Sequence, residues 1–381
     1  MFTLSDEQLA LVEAARGAAV DAIGPTVKED DEAERFRPEI FAKLGAAGLC
    51  GVPTAEASGG LGLGYVEYAL VLEEIAKVAP SWAVCVAVNG LPQIILTTFG
   101  NEEQRTRFLP GLAAGELLGA FALSEPGSGS DAASLRTTAV RDGDHYVLNG
   151  TKFWITHGGY ADVYVVMART GGPGPKGVSA FLVEKGAPGL GYGKKEEKMG
   201  LRASPTVELV LENCRVPVAN RLGAEGDGFR VAMSALDSGR ITIAATSVGL
   251  AQAALDCAAA YACERKQFDT AIIDFQGVGF MLADMAARIE AARLLVHKAA
   301  WLRDNGQPYA HIAAMAKCVA TDSAMAVSTD AVQVLGGYGY TREYPVERLM
   351  RDAKVMQIVE GTNQVQRVVI ARHLKRSYGG G

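Results

Sequence analysis

One carboxylate near the end of the chain has a sequence environment that favours chemistry. In "IVEGTNQVQR", Glu360 follows Ile358 and Val359 and precedes Gly361. Apolar surroundings raise the pKa of a carboxylic acid because they disfavour its charged form. A neighbouring glycine lets another molecule approach the backbone closely. Glu360 is therefore either a general base held in a dry pocket or an ordinary solvated loop residue.

A glycine- and serine-rich stretch, "FALSEPGSGSD", could bind an anion or a ring edge. Its residues 127–132 fit the pattern G-x-G-x-x-A of dinucleotide-binding loops. That motif follows a strand and begins a helix, whereas here Pro126 precedes it and β-type runs follow it. We therefore reject a Rossmann interpretation. The loop can still form an anion-binding nest of backbone N–H groups, and an ordinary Gly-Ser turn is the equal alternative.

Three further segments carry side chains suited to flat or phosphorylated ligands. Trp154, with Thr156 close by, could stack on a heterocycle and hydrogen-bond its edge, although Trp is more often core. Arg265 in "ERKQFD" has the fork geometry that suits pyrophosphate, and a charged surface turn is the alternative. Gln333 precedes the bare backbone of Gly336, which could contact a phosphate or sugar or could simply cap a helix.

The elements that must position these groups predict an α+β fold in α–β–α order. Residues 1–118 show apolar residues at helical spacing and form an N-terminal helical domain. Residues 119–222 show short alternating runs separated by turn signals, which indicates a middle antiparallel β domain. Residues 223–381 contain long Ala-rich helical stretches with short links, which is typical of a C-terminal four-helix-bundle domain.

Composition excludes several classes of protein. The net charge is −6, which argues against a nucleic-acid partner because such proteins carry a basic footprint. The six cysteines form no C-x-x-C pair and the histidines show no metal-ligand spacing, so we expect reduced thiols, no metal and a cytoplasmic location. No signal peptide is visible, and the uncharged segment 78–101 is interrupted by Pro, Asn and Gln, which predicts a buried helix rather than a membrane span.

Read together, the motifs resemble those of the acyl-CoA dehydrogenase family, flavoenzymes that place a trans double bond beside a thioester. The resemblance runs over essentially the whole chain and rests on separated stretches in the same order. These are "FALSEPGSGSD", "KFWIT", "EEKMGLRASPTVEL", "LDSGRITIAA", "ERKQFD", "QVLGGYGYTREYPVERLMRDA" and "IVEGTNQVQR".

The resemblance implies a role for each matching position. Glu360 matches the catalytic base that removes the α-proton of the thioester. The flavin ring and its edge would be held by Phe121, Leu123, Ser124, Gly129, Ser130, Trp154, Ile155 and Thr156. The remainder of FAD would be bound by Arg265, Gln267, Phe275, Gln276, Gln333, Gly337, Thr362 and Gln364. The acyl-CoA channel would be lined by Ser130, Asp237, Arg240 and Gly361.

Three departures narrow the subtype. Some relatives carry the base on the long helix just before the matched arginine, but that place here is Gly239. Relatives that decarboxylate glutaryl-CoA carry an Arg within the stretch matching 78–98, which here has no charge, and Trp82 is near the expected place. A dicarboxylic substrate would therefore be left unpaired. Many relatives have Tyr before the base, where this chain has Val359.

The resemblance thus implies an FAD-dependent acyl-CoA dehydrogenase acting on a short- to medium-chain, straight or branched, acyl-CoA. It also implies electron-transferring flavoprotein as the acceptor and a homotetramer, with no membrane partner. Two alternatives stay open. An acyl-CoA oxidase would pass the electrons to dioxygen, and a non-catalytic CoA-ester-binding protein would use the same scaffold without the reaction.

Overall fold

The N-terminal third is helical. The computed structural model describes residues 3–379. The first helix begins with the capping box expected from "SDEQ", because Gln8 N donates to Ser5 Oγ (3.2 Å) and Ser5 N donates to Gln8 Oε1 (3.1 Å). The helices are α1 (Asp6–Ile23), α2 (Val27–Glu32), α3 (Pro38–Ala46), α4 (Tyr65–Val78), α5 (Pro80–Phe99) and α6 (Glu102–Ala113).

The middle of the chain forms an eight-stranded sheet with spatial order β6-β7-β3-β2-β4-β5-β8, in which β1 also pairs with β4. Its strands are β1 (Gly119–Ala122), β2 (Thr138–Asp142), β3 (His145–Thr156), β4 (Val163–Arg169), β5 (Val178–Glu184), β6 (Leu190–Lys195), β7 (Thr206–Pro217) and β8 (Arg221–Leu222). Most pairs are antiparallel, as predicted. The pairs β1–β4 and β2–β4 are parallel, however, so the sheet is mixed rather than purely antiparallel. The alternating patterns did not indicate this, because alternation does not report strand direction.

The C-terminal part is again helical. It contains α7 (Gly228–Glu264), a two-stranded ribbon of β9 (Lys266–Gln267) and β10 (Thr270–Ala271), α8 (Gln276–Asp304), α9 (Ala310–Leu335), α10 (Gly337–Tyr340), α11 (Val346–Met356) and α12 (Asn363–Tyr378). Helices α7, α8 and α9 pack against one another, and α12 packs on α9, which confirms the predicted bundle. The α–β–α architecture of the α+β fold is confirmed as well.

The N-terminal and C-terminal helical parts contact each other directly, through α4 on one side and α7 and α8 on the other. A Cβ at Gly249 of α7 would lie 2.2 Å from the carbonyl oxygen of Glu73 in α4, so only glycine allows the two helices to approach this closely. The carboxylate of Asp304, at the end of α8, accepts hydrogen bonds from the first backbone N–H groups of α4, at Tyr65 (2.8 Å) and Val66 (3.1 Å). A carboxylate at a helix N-terminus satisfies unpaired donors and complements the helix dipole.

Two helices are long and apolar enough to cross a membrane by length and composition, namely Pro80–Phe99 and Gly228–Glu264. Both are mostly inside the fold, with 67% and 72% of their most apolar windows buried. A helix that is apolar on most sides is expected wherever other elements surround it. The protein core therefore accounts for their composition.

Candidate active site

The loop that carries Glu360 joins α11 to α12 and has an unusual backbone. Glu360 has φ 53° and Gly361 has φ 85°, so two consecutive residues adopt left-handed geometry. That geometry is routine for glycine but costs a non-glycine residue on the order of 1–3 kcal/mol. The loop is closed by a hydrogen bond from Asn363 N to Gln357 O (3.0 Å), and Thr362 caps α12 by accepting from Val365 N (3.3 Å). The backbone thus turns the Glu360 side chain inward at a local conformational cost.

The Glu360 carboxyl group is half-buried, and one of its two oxygens is shielded from solvent. Its Oε2 atom is buried and makes no hydrogen bond. It faces α7 at Gly239, where a Cβ would lie only 2.5 Å from Oε2. Burial raises the pKa of Glu360 to about 7, while the charges of Arg240 and Lys317 oppose the increase. Glu360 is therefore not an ordinary solvated loop residue, and its role as a general base stays a prediction.

Helix α7 also supplies an ion pair beside this carboxyl group. Arg240 Nη1 donates to Asp237, and Arg240 is only 5% exposed. Burial raises the pKa of Asp237, although the guanidinium group of Arg240 opposes the effect. Arg240 Nε is buried without a hydrogen-bond partner. An unsatisfied buried donor next to an unsatisfied buried acceptor on Glu360 is the pattern of a site that a polar ligand completes.

The predicted ring-binding residues are brought together at a bulge in the sheet. Strand β3 loses register against β7 between Lys152 and Ile155, and Trp154 within this bulge has φ 63°. The bulge turns the Trp154 ring outward, leaving it 61% exposed. The Gly-Ser loop lies alongside, because Phe153 N donates to Ser124 O (2.9 Å). An exposed indole beside this loop offers a flat stacking surface.

Beneath the Gly-Ser loop is a buried ion pair that the sequence analysis did not single out. Lys152 Nζ donates to Glu125 Oε1 (2.7 Å) and to Leu123 O (3.1 Å). Glu125 also accepts from the backbone N–H groups of Arg136 (2.6 Å) and Thr137 (2.9 Å). Burial lowers the pKa of Lys152 to about 8. Glu125 was visible within "FALSEPGSGSD" as an acid among small residues, but its buried partner was not.

Two of the other predicted ring-binding residues can reach a ligand only through their backbone. The side chains of Leu123 and Ile155 are 8% and 2% exposed and belong to the core. Phe121 and Thr156 are half-buried, whereas Gly129 and Ser130 are exposed on the Gly-Ser loop. A Cβ at Gly129 would meet no atom within 4 Å, so the loop leaves open space along its backbone.

Some of the residues predicted to bind FAD line a cavity at the C-terminal ends of α7 and α9. A cavity of about 510 Å³ is lined by Arg265 and Gln267 after α7 and by Gly336 and Gly337 after α9. Neither glycine would bring a Cβ within 4 Å of another atom, and Gly336 has φ 61°. A guanidinium group, an amide and bare backbone in one cavity fit a diphosphate with an attached sugar.

Five predicted FAD-binding residues do not line this cavity. Phe275 and Gln276 start α8, Gln333 is in the last turn of α9, and Thr362 and Gln364 start α12. Phe275, Gln276, Gln333 and Gln364 are exposed in the single chain, and Thr362 is half-buried. Their roles stay predictions.

The chain offers a flat aromatic surface beside a bare Gly-Ser loop, which fits a flavin ring, and separately a cavity with an arginine, which fits a diphosphate. The buried acceptor on Glu360 is the fourth feature, and it fits a group that brings a proton. In the part of the chain that the structure describes, no three His, Cys, Asp or Glu side chains gather in a metal-binding arrangement.

Comparison with known proteins identifies the family. Residues 5–116, 120–214 and 226–375 match the N-terminal, middle and C-terminal domains of acyl-CoA dehydrogenases. The chain belongs to the acyl-CoA dehydrogenase family, and it is therefore an oxidoreductase of the flavoprotein class, as the motifs predicted.

Individual relatives are similar over their whole length. An acyl-CoA dehydrogenase of Bacillus subtilis is 48% identical over 97% of this chain and 98% of its own. A short-chain specific acyl-CoA dehydrogenase of Clostridium acetobutylicum is 46% identical, covering 98% and 100%. The mitochondrial isobutyryl-CoA dehydrogenase of Bos taurus is 44% identical, covering 97% and 89%.

Solved structures share the fold closely. The butyryl-CoA dehydrogenase of Megasphaera elsdenii superposes with a TM-score of 0.96 at 44% identity, covering 98% of this chain and 99% of that one. A chain from structural work on the electron transferring flavoprotein of Acidaminococcus fermentans gives a TM-score of 0.97 at 48% identity, covering 99% and 100%.

Proposed function

We propose that this protein catalyses the FAD-dependent α,β-dehydrogenation of a short- to medium-chain acyl-CoA, straight or branched, to the trans-2-enoyl-CoA. The observation that carries the proposal is the buried, unpartnered Oε2 atom of Glu360, turned inward by a left-handed backbone. Its pKa of about 7 matches the requirement for a general base at neutral pH.

The proposed reaction divides two hydrogens between protein and cofactor. Glu360 removes the α-proton, and the bound flavin supplies an acceptor for the β-hydrogen, which leaves as hydride. The two electron pairs released account for one new C=C bond and a reduced flavin. Within residues 3–379, the backbone N–H of Glu360 has no hydrogen-bond acceptor, so it is free to donate to the thioester oxygen. Such a donor stabilises the negative charge that develops as the α-proton leaves.

Cofactor and thioester would be held by separate parts of the chain. Trp154 and the Gly-Ser loop would contact the flavin ring, and the cavity with Arg265 and Gly337 would bind its diphosphate side. Arg240, with its buried and unpaired Nε, would face the acyl-CoA channel together with Asp237. Burial of the Arg240 side chain strengthens its electrostatic contacts.

The similarity to short-chain, butyryl-CoA and isobutyryl-CoA dehydrogenases supports a small acyl group. Helix α5 adds a physical reason to exclude dicarboxylic thioesters, because its segment 80–99 carries no charged residue. Trp82 on this helix is 1% exposed and stacks on Phe36 with ring centroids 5.1 Å apart. A substrate carboxylate buried there would have no counter-ion.

We further propose a cytoplasmic homotetramer that passes electrons to an electron-transferring flavoprotein. The structural relative studied with such a flavoprotein supports this acceptor. Phe268 and Tyr340 are 91% and 87% exposed near the candidate FAD cavity. Large exposed aromatic side chains mark protein interfaces, and a second subunit there would cover the predicted FAD contacts at Phe275 and Gln276.

The test is an anaerobic titration of the purified protein with butyryl-, isobutyryl-, octanoyl- and glutaryl-CoA. We expect a bound flavin whose visible absorbance bleaches with at least one of the first three esters and not with glutaryl-CoA. A flavin-free protein, or a flavin that no ester reduces, would refute the dehydrogenation. Fast reoxidation of the reduced protein by dioxygen, rather than by an electron-transferring flavoprotein, would instead identify an acyl-CoA oxidase.

A further inference from the structure

The strained loop around Glu360 is held from below by two fully buried side chains. Gln366 Nε2 donates to the carbonyl oxygens of Glu360 (3.0 Å) and Gly361 (2.8 Å). Lys317 Nζ donates to the same Gly361 carbonyl (3.0 Å). Both Lys317 and Gln366 are 0% exposed. The two carbonyls of the left-handed segment are thus both fixed by side-chain donors.

Lys317 connects the Glu360 loop to helix α9. Lys317 Nζ also donates to Asn363 Oδ1 (2.9 Å), and the Asn363 amide donates to Thr321 Oγ1 (2.9 Å) and Asp322 Oδ1 (2.7 Å). Lys317, Thr321 and Asp322 all belong to α9. These hydrogen bonds join Gly361 of the Glu360 loop and Asn363 at the start of α12 to helix α9.

The Lys317 ammonium group has no carboxylate within ion-pair distance in the described part of the chain. The titratable groups that act on it are Cys318 and Asp322 of its own helix, Arg240 of α7 and Glu360. Those that act on Glu360 are Arg240 and Lys317. Burial lowers the pKa of Lys317 to about 8, while the charges of Glu360 and Asp322 oppose the decrease. Below that pH the Lys317 ammonium and the Glu360 carboxylate therefore favour each other's charged form.

We propose that Lys317 is a positioning residue for the dehydrogenation: with Gln366 it fixes the backbone of the Glu360 loop by hydrogen bonds to its carbonyl oxygens, and its buried charge beside that loop favours the carboxylate form of Glu360. The inference rests on the proposed function, since it assigns to Lys317 a role in the action of Glu360. A purely structural role would need only the two hydrogen bonds. The charge adds a second effect that can be measured separately.

Two variants separate the charge from the hydrogen bonds. Lys317→Gln removes the charge and keeps an amide donor, whereas Gln366→Met removes a donor and leaves the charge. The measurement is the rate of anaerobic flavin reduction by butyryl-CoA from about pH 5.5 to 9, together with binding of the 2-enoyl-CoA product and the melting temperature. Lys43→Gln, which removes an exposed lysine of α3, serves as the charge control.

We expect Lys317→Gln to move the midpoint of the pH–rate profile upward by about one pH unit, because loss of a nearby positive charge disfavours the carboxylate. Gln366→Met should lower the plateau rate by about 10-fold or more with an unchanged midpoint, because the base is less well placed. Lys43→Gln should change neither quantity. Product binding should stay within about 3-fold of the parent in all three, since none of them touches the ligand.

An unchanged midpoint in folded Lys317→Gln would overturn the proposal. Should that variant not fold, the double variant Asn363→Asp/Asp322→Asn is the second test, because it moves an anion to 2.9 Å from Lys317 Nζ while the amide at position 322 can donate to it. The midpoint must again rise, and an unchanged midpoint again overturns the role of the charge. If the parent protein is reduced by no acyl-CoA at all, it is the dehydrogenation that fails, not the role of Lys317.

Discussion

Gly239 on α7 and Glu360 on the α11–α12 loop are in direct contact. The Glu360 carboxyl group occupies the space that a side chain at position 239 would need. A Cβ at Gly239 would lie 2.5 Å from Glu360 Oε2 and 2.8 Å from its Cδ atom. Contacts below 3.0 Å to a Cβ do not occur without movement. The absence of a side chain at Gly239 is therefore what makes room for the carboxyl group of the proposed base.

Gly239→Ala should displace the Glu360 carboxyl group and slow flavin reduction by about 10–100-fold, because small misplacements of a base are costly. Alanine is favoured over glycine inside a helix by about 1 kcal/mol, so the helix itself should not lose stability. Stopped-flow flavin reduction and thermal melting measure the two effects. Gly17→Ala, at a glycine of α1 with no atom within 4 Å of a Cβ, is the matched control. Normal rates in Gly239→Ala would contradict the contact.

Glu360→Gln should retain flavin and bind acyl-CoA but reduce the flavin at least about 100-fold more slowly, because a positioned base contributes on that scale. The amide has nearly the same shape and cannot accept the proton. Binding is followed by the change in the flavin spectrum with the 2-enoyl-CoA. Glu212→Gln, at an exposed acid of β7, should behave as the parent. Full bleaching of Glu360→Gln would remove this residue from the chemistry.

The same substitution should stabilise the protein at alkaline pH. Burial raises the pKa of Glu360 from 4.5 in a free chain to about 7 in the folded protein. The folded state therefore holds a proton that the unfolded chain has lost between these values, and stability falls as pH rises through this window. The gain from Glu360→Gln should increase by on the order of 2 kcal/mol between about pH 5 and pH 8.5. Urea unfolding at both pH values measures it, and an equal gain at both would refute the raised pKa.

Arg265→Ala should weaken retention of FAD by about 10-fold or more, since a guanidinium–phosphate contact is a strong charge-assisted hydrogen bond. The ratio of flavin to protein absorbance after dialysis, and a fluorescence titration with added FAD, report the loss. Arg141→Ala is the control, because Arg141 is an exposed arginine in the β2–β3 hairpin, outside the cavity. Equal retention in the two variants would rule out a phosphate role for Arg265.

The helices and the site loop were predictable because their signals are local. The capping box at Ser5, the glycine after Glu360 and the apolar residues before it are all visible in adjacent letters. The parallel pairing of β1 with β4 was not predictable, because it joins segments separated by some forty residues and periodicity carries no direction.

The buried polar residues that hold the site loops in place were the hardest to predict from sequence. Lys317 is the only charged residue in "AHIAAMAKCVA", which could have marked it as buried and paired, but nothing local identifies Gly361 as its partner. Lys152 and Glu125 likewise meet only through the tertiary fold. Buried polar networks depend on long-range contacts, so local sequence patterns reveal their members one at a time.

The hydrogen bonds from α4 to Asp304 have a consequence for synthesis of the chain. Nearly the whole of α4 is buried, and the helices that bury it, α7 and α8, are translated more than 150 residues later. While the ribosome produces the sheet, the sides of α4 that pack on α7 and α8 have no native cover, although α1 and α5 already contact the helix elsewhere. Helix α4 of the nascent polypeptide therefore exposes apolar surface until α7 and α8 have been translated. During this interval we expect it to be a binding target for chaperones.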